Sequence, residues 1–133
     1  MVSGACFLIR RGYLESIGGF DEKLFLYEEE LDIFLPARRR GYDVCYCPDA
    51  RIIPHHGASS GELEGSDTSL YHLFRSKYYV FRKHYGGLVA ALAFGSDFAV
   101  FLASIAVNRL RGTPTSAARH AALCRKGYRG SFD

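Results

Sequence analysis

Four carboxylates fall within five residues at Glu28-Glu29-Glu30-x-Asp32, directly after the apolar, aromatic run Phe25-Leu26-Tyr27. A cleft that needs a general base is introduced in this way more readily than a solvated acidic face. On a helix Glu28 and Asp32 are i, i+4 neighbours, and Glu30 points in another direction. Two readings are open at this level. The carboxylates stabilise the positive end of a helix, or one of them takes a proton from a substrate hydroxyl. Crowding favours the second use, because neighbouring carboxylates raise one another's pKa.

Three other places could bear chemistry. His55-His56 lies in a Gly/Ser-rich stretch and is either a polar loop or a contact to a metal or a pyrophosphate, since neutral imidazole binds divalent metals. Gly4-Ala5 is either a close-packing pair or a place where a ligand approaches the backbone. Cys45-x-Cys47 is one residue short of the usual CxxC spacing, so the four cysteines read as reduced, buried thiols.

The positioning elements follow from periodicity. Residues 5–9 read as a strand and 11–17 as a short helix stopped by Gly18-Gly19. Leu31, Phe34 and Leu35 predict a helix over 28–40 that Pro36 kinks or splits, with Gly41 as its left-handed stop. Tyr42–Cys47 and Arg51–Ile53 alternate like strands. Residues 70–84 and 116–125 have helical composition.

Charge divides the chain. Residues 1–70 carry 7 Lys/Arg and 12 Asp/Glu, a net of −5, while residues 71–133 carry 10 and 2, a net of +8. The basic second half suits an anionic membrane surface better than nucleic acid, which the acidic first half would repel. Leu88–Val107 is almost wholly apolar, with Asp97 its only charge. Three placements are open for it: in the plane of a membrane surface, across the bilayer, or buried against a partner. Asp97, Ser104, Asn108 and Arg111 share one narrow helical stripe.

The chain resembles the C-terminal half of family 2 glycosyltransferases, the rhamnosyltransferase-like branch. The matching runs are Val2–Arg11, Ile17-Gly18-Gly19-Phe20-Asp21-Glu22, Phe25-Leu26-Tyr27 with Glu29-Glu30-x-Asp32, Arg38-Arg39-x-Gly41, Tyr46-x-Pro48-Asp49-Ala50, the His-His-Gly loop, and Arg82-Lys83-His84-Tyr85-Gly86. The resemblance implies an α/β fold: the acceptor-side half of a GT-A domain over residues 1–69, followed by a helical, membrane-associated tail over 70–133. It also implies transfer of a sugar, with inversion, from a nucleotide-sugar donor to a saccharide or lipid-linked acceptor at the cytoplasmic face of a membrane.

By position, Glu30 takes the family's general-base role and Glu29 is its acidic partner. Asp32 matches a further acidic position, structural or acceptor-binding, and Gly4 and Ala5 line the acceptor side. Asp21 anchors the turn before the acidic helix, and His55 is the candidate contact to the metal or the diphosphate. The family's divalent metal, Mn²⁺ or Mg²⁺, is held by an Asp-x-Asp motif, and this sequence contains none. The expectation is therefore a catalytic domain lacking its donor half, with an exposed sheet edge and poor solubility. The alternative is a non-catalytic remnant or a membrane-associated binding module.

Overall fold

The computed structural model describes residues 6–53 and 66–133. Among them are α1 (Arg11–Ser16), α2 (Glu29–Phe34), a 3₁₀ turn (Arg38–Arg40), α3 (Asp67–Tyr85), α4 (Gly87–Arg111) and α5 (Ala117–Gly130).

Local chemistry ends the short helices where the sequence says it should. After α1, Gly18 and Gly19 both take φ of +84°, and the Gly19 N–H closes the helix by donating to Leu14 O at 2.9 Å. Pro36 has no N–H and its ring crowds the carbonyl one turn back, so the helix expected over 28–40 splits into α2 and the 3₁₀ turn. Gly41 ends that turn at φ +77°.

The expected strands are a correction. No β-strand occurs among the described residues. The stretch from Cys6 to Arg10 does alternate: Phe7 and Ile9 pack against Tyr13, Ile33 and Ala37, while Leu8 is fully exposed. In 42–47 only Tyr42 turns inward, against the Tyr13 ring at 4.7 Å. The pattern of a strand is thus present without a ladder. Alternation is local, but a strand forms only when a neighbour accepts and donates its hydrogen bonds, and the described residues supply no such neighbour. The cysteine expectation is also corrected: Cys6, Cys45 and Cys47 are exposed free thiols, and Cys124 alone is buried.

The second half is a three-helix unit. Ser66 caps α3 by accepting from the Ser69 N–H at 3.1 Å. Gly86, at φ +91°, reverses the chain, and α4 returns antiparallel to α3. Phe74, Tyr78 and Cys124 form the core with Phe94, Phe101 and Tyr128, where Phe94 stacks on Tyr128 at 4.4 Å. Gly127 is the close approach of α5 to α3: a Cβ there would meet Phe74 Cβ at 2.6 Å and the Arg75 amide nitrogen at 2.9 Å. Gly127→Ala should therefore lower stability by about 2 kcal/mol through overpacking, against the gain of about 1 kcal/mol that the same change brings at an exposed helical site. Urea denaturation followed by circular dichroism checks this; an unchanged or raised midpoint would refute the close packing.

Candidate active site

The acidic segment is held on α3 by polar contacts. Asp21 Oδ1 accepts from the Lys23 N–H at 3.0 Å, and its Oδ2 accepts from Tyr79 OH at 2.8 Å and Lys83 Nζ at 2.7 Å. Asp32 is buried, with Oδ2 on Lys83 Nζ at 2.8 Å and Oδ1 on His84 Nε2 at 2.7 Å. One ammonium thus joins the turn before α2 to α2 itself. The hydroxyl of Ser76 donates to Leu26 O at 2.8 Å, and Arg75 Nη1 donates to Lys23 O at 2.6 Å.

Between these anchors the chain takes an uncommon path. Tyr27 and Glu28 adopt left-handed φ values of 66° and 68°, which cost roughly 1–2 kcal/mol each for residues bearing a Cβ. The Tyr27 hydroxyl, 2.7 Å from Ser69 Oγ, and the Ser76 bond to Leu26 hold the strained pair. Such strain gathers where backbone geometry serves a function. Here it aims the first turn of α2.

The four carboxylates consequently have different surroundings. Asp32 is consumed by the Lys83–His84 clamp. Glu29 Oε2 is buried without a hydrogen-bond partner. Glu30 lines a pocket of about 130 Å³ together with Tyr27, Glu28, Leu31 and Leu73. That pocket is below the roughly 300 Å³ of a complete ligand site, but it has room for one hydroxyl-bearing edge of a ligand. Glu28 is half-buried, and burial first, then the Glu30 charge, push its pKa up, with Lys77 partly opposing and Glu29 adding to the rise. The crowding argued from spacing thus acts on Glu28, which the motif does not single out. Burial works against ionisation of Asp21, yet the bonds from Lys83, the Lys23 amide and Tyr79 outweigh it and bring its pKa below the usual value. Lys83 is raised for the same reason: burial opposes its charge, and Asp21 and Asp32 more than compensate.

Gly4, Ala5 and His55 lie outside the described residues, so the acceptor-side pair and the candidate metal contact cannot be set against this geometry. Sequence reasoning gave no role to Lys83, His84 or Tyr79, although Lys83-His84 sits in one of the matching runs. Their signal is two adjacent cationic or polar side chains closing a helix, in a chain whose carboxylates cluster elsewhere. As a metal site the described residues do not fit. They contain no group of three or more His, Cys, Asp or Glu side chains able to hold an ion, Asp21 and Asp32 are both bound to Lys83, and the unpartnered Glu29 oxygen is a single ligand.

The family profile described as Glycosyltransferase like family 2 matches residues 1–83, which covers the whole acidic segment and most of α3. The chain belongs to this family. Among its relatives is the N-acetylglucosaminyl-diphospho-decaprenol L-rhamnosyltransferase of Mycobacterium tuberculosis, in strains CDC 1551 / Oshkosh and ATCC 25618 / H37Rv. It is 34% identical over 71 residues, which cover 53% of this chain and 23% of the relative. The O-antigen biosynthesis protein RfbC of Myxococcus xanthus is 34% identical over 58 residues, or 44% of this chain and 4% of that protein. The chain thus spans about a quarter of the length of the rhamnosyltransferases it matches. No solved structure matches it.

Two predictions follow from the electrostatics of this family 2 segment. Glu28 has a raised pKa in the fold, so its ionised form burdens the folded state above the ordinary carboxyl value of 4.5 and not below it. Glu28→Gln should raise the urea midpoint at pH 7 and lose that advantage near pH 3, which parallel titrations read directly. Lys83→Met should cost about 3 kcal/mol or more, because it leaves the buried Asp32 without its ammonium. Adding Asp32→Asn should recover part of the loss in a double-mutant cycle; strictly additive effects would mean that the two side chains do not interact.

Proposed function

We propose that this chain forms the acceptor side of an inverting glycosyltransferase that moves a sugar from a nucleotide-sugar donor to a saccharide or lipid-linked acceptor, with Glu30 as general base. The observation that carries the reading is the position of Glu30. It is the α2 carboxylate that lines the pocket without being consumed by a cation, on a turn whose strained backbone aims it there. The names of the relatives support the substrate classes. One set acts as an L-rhamnosyltransferase on a diphospho-decaprenol-linked sugar, and another protein serves O-antigen biosynthesis.

In the proposed reaction an acceptor hydroxyl enters the pocket and donates a hydrogen bond to the Glu30 carboxylate. As the hydroxyl oxygen attacks the anomeric carbon, its proton passes to Glu30. The bond from that carbon to the donor diphosphate breaks, and the diphosphate leaves with the electron pair. Attack opposite the leaving group inverts the anomeric centre. Asp32 takes no proton in this scheme. Its bonds to Lys83 and His84 fix the direction of α2, and Asp21 does the same for the preceding turn. A divalent Mn²⁺ or Mg²⁺, as the family implies, would neutralise the departing diphosphate, and its ligands would come from outside the described residues.

The test is sugar transfer to a polyprenyl-diphosphate-linked acceptor, measured with this chain and with a chimera in which it replaces the matching segment of the mycobacterial relative. Glu30→Gln should lower kcat by at least about a hundredfold, the usual worth of a general base, and leave donor affinity near that of the parent. Full turnover in Glu30→Gln removes Glu30 from the role. No turnover in the unmutated chimera favours the non-catalytic alternative.

A further inference from the structure

α4 is built inside out. Asp97 faces the protein, where its Oδ2 accepts from Lys77 Nζ at 2.7 Å and from Tyr78 OH at 2.9 Å, and the half-buried Ser104 and Asn108 on the same side bond each other, Asn108 Nδ2 to Ser104 O at 2.8 Å. The exposed side is apolar apart from Ser96 and the arginines of the last turn. Leu88, Leu92 and Leu110 lie within about 40° of one another at 100° per residue and are 75%, 65% and 89% exposed, and Val100, 66% exposed, lies at the edge of that side next to Ser104. Among the described helices α4 is the one long and apolar enough to cross a membrane, yet only 6% of its most apolar window is buried. A water-facing helix of a soluble bundle shows the reverse arrangement, and a largely apolar face that runs about 33 Å from Leu88 to Leu110, at 1.5 Å per residue, needs a cover.

The cover is identified by charge. From Phe98 to Phe132 the chain carries six cations and no Asp or Glu; Arg119 is paired with Asp67 of α3, so the charges that count here are those of Arg109, Arg111, Arg125, Lys126 and Arg129. Arg125 borders the face, its guanidinium 5.1 Å from the centre of the Phe98 ring, and Arg109 and Arg111 are exposed in the last turn of α4. A second copy would set these like charges against one another. An anionic lipid surface meets them with opposite charge and takes the apolar side chains into its acyl boundary. Crossing is disfavoured because α4 is packed lengthwise on α3 and α5, through Phe101 on Phe74 and Phe94 on Tyr128. To span the bilayer it would drag the Arg and Lys side chains of those helices into hydrocarbon.

We infer that the outward face of α4 is a lipid-docking surface that lies in the plane of an anionic membrane, with α3 and α5 on its aqueous side. The inference does not depend on the proposed sugar transfer. In flotation assays the purified chain should rise with phosphatidylglycerol-containing vesicles, less with phosphatidylcholine alone, and the Leu92→Asp/Val100→Asp double variant should stay behind. Both side chains are exposed, so the variant should keep its circular dichroism spectrum and Tm; if it does not, Leu92→Ser/Val100→Ser replaces it. Glu30→Gln should float like the parent, which separates this test from the catalytic one. The sequence has no Trp, so single Leu88→Trp, Ala99→Trp and Leu110→Trp reporters, which fall within about 40° of one another around the helix, can be read with depth-graded quenchers. Equal depths support in-plane docking, and depths that grade from one end to the other overturn it in favour of a span. A chain that ignores vesicles, or a dimer that the double variant dissociates, also overturns it.

Discussion

One ammonium links the two carboxylates that anchor the acidic segment. Lys83 Nζ lies 2.7 Å from Asp21 and 2.8 Å from Asp32, and among the described residues no other side chain bonds both. The Tyr13–Ile33–Ala37 cluster and the Phe74–Tyr78–Cys124 cluster are separate cores. The Phe25 ring meets His72 at 5.0 Å, and the remaining ties between the two halves include the polar contacts of the Lys83–His84 clamp, the Tyr79 hydroxyl on Asp21, the Ser76 hydroxyl on Leu26 and the Arg75 guanidinium on Lys23. A hydrophobic interface tolerates sliding, whereas charged, geometrically specific bonds set a register. Surface pairs are usually weak, but Asp32 is buried, and a buried carboxylate without its cation is costly.

The clamp also explains why the four carboxylates are not equivalent. Asp32 is anchored by Lys83 and His84. Tyr27 and Glu28 connect the Asp21 turn to α2 in left-handed backbone. Glu30 is then turned toward the pocket, while Glu29 goes inward without a partner. The spacing of the motif shows that Glu28 and Asp32 share a face only if both are helical. Glu28 instead precedes the helix as its left-handed cap, so the supposed pair is divided between a pocket wall and a clamp.

What the sequence made legible was local. Gly18-Gly19, Pro36 and Gly41 act through their own backbone chemistry, and each ends its element where expected. Helices α3, α4 and α5 follow from composition and periodicity to within a few residues at most ends. The strands failed because pairing is a property of two segments, and the alternation in 6–9 and 42–47 says nothing about the second. The clamp was hidden for a similar reason: Asp32 and Lys83 are 51 residues apart, and no spacing rule connects them. The α4 stripe is a subtler case. Asp97, Ser104 and Asn108 do share a side, but periodicity gives the side without its sense, and the polar side faces inward because Lys77 and Tyr78 supply partners there.

α3 connects all of these features, because its side chains serve both neighbours. Lys83, His84, Tyr79 and Ser76 hold the acidic segment, while Lys77 and Tyr78 hold Asp97 on α4. Lys77 is shared: its charge bonds Asp97 and also draws down the pKa of Glu28, against burial and the Glu30 charge. One cation therefore stands between the acidic cluster and the helix with the apolar outward face. If Asp97 were removed, Lys77 would be free to turn toward Glu28 and keep it ionised. The pairing of Lys77 with Asp97 thus limits how far that cation draws down the pKa of Glu28.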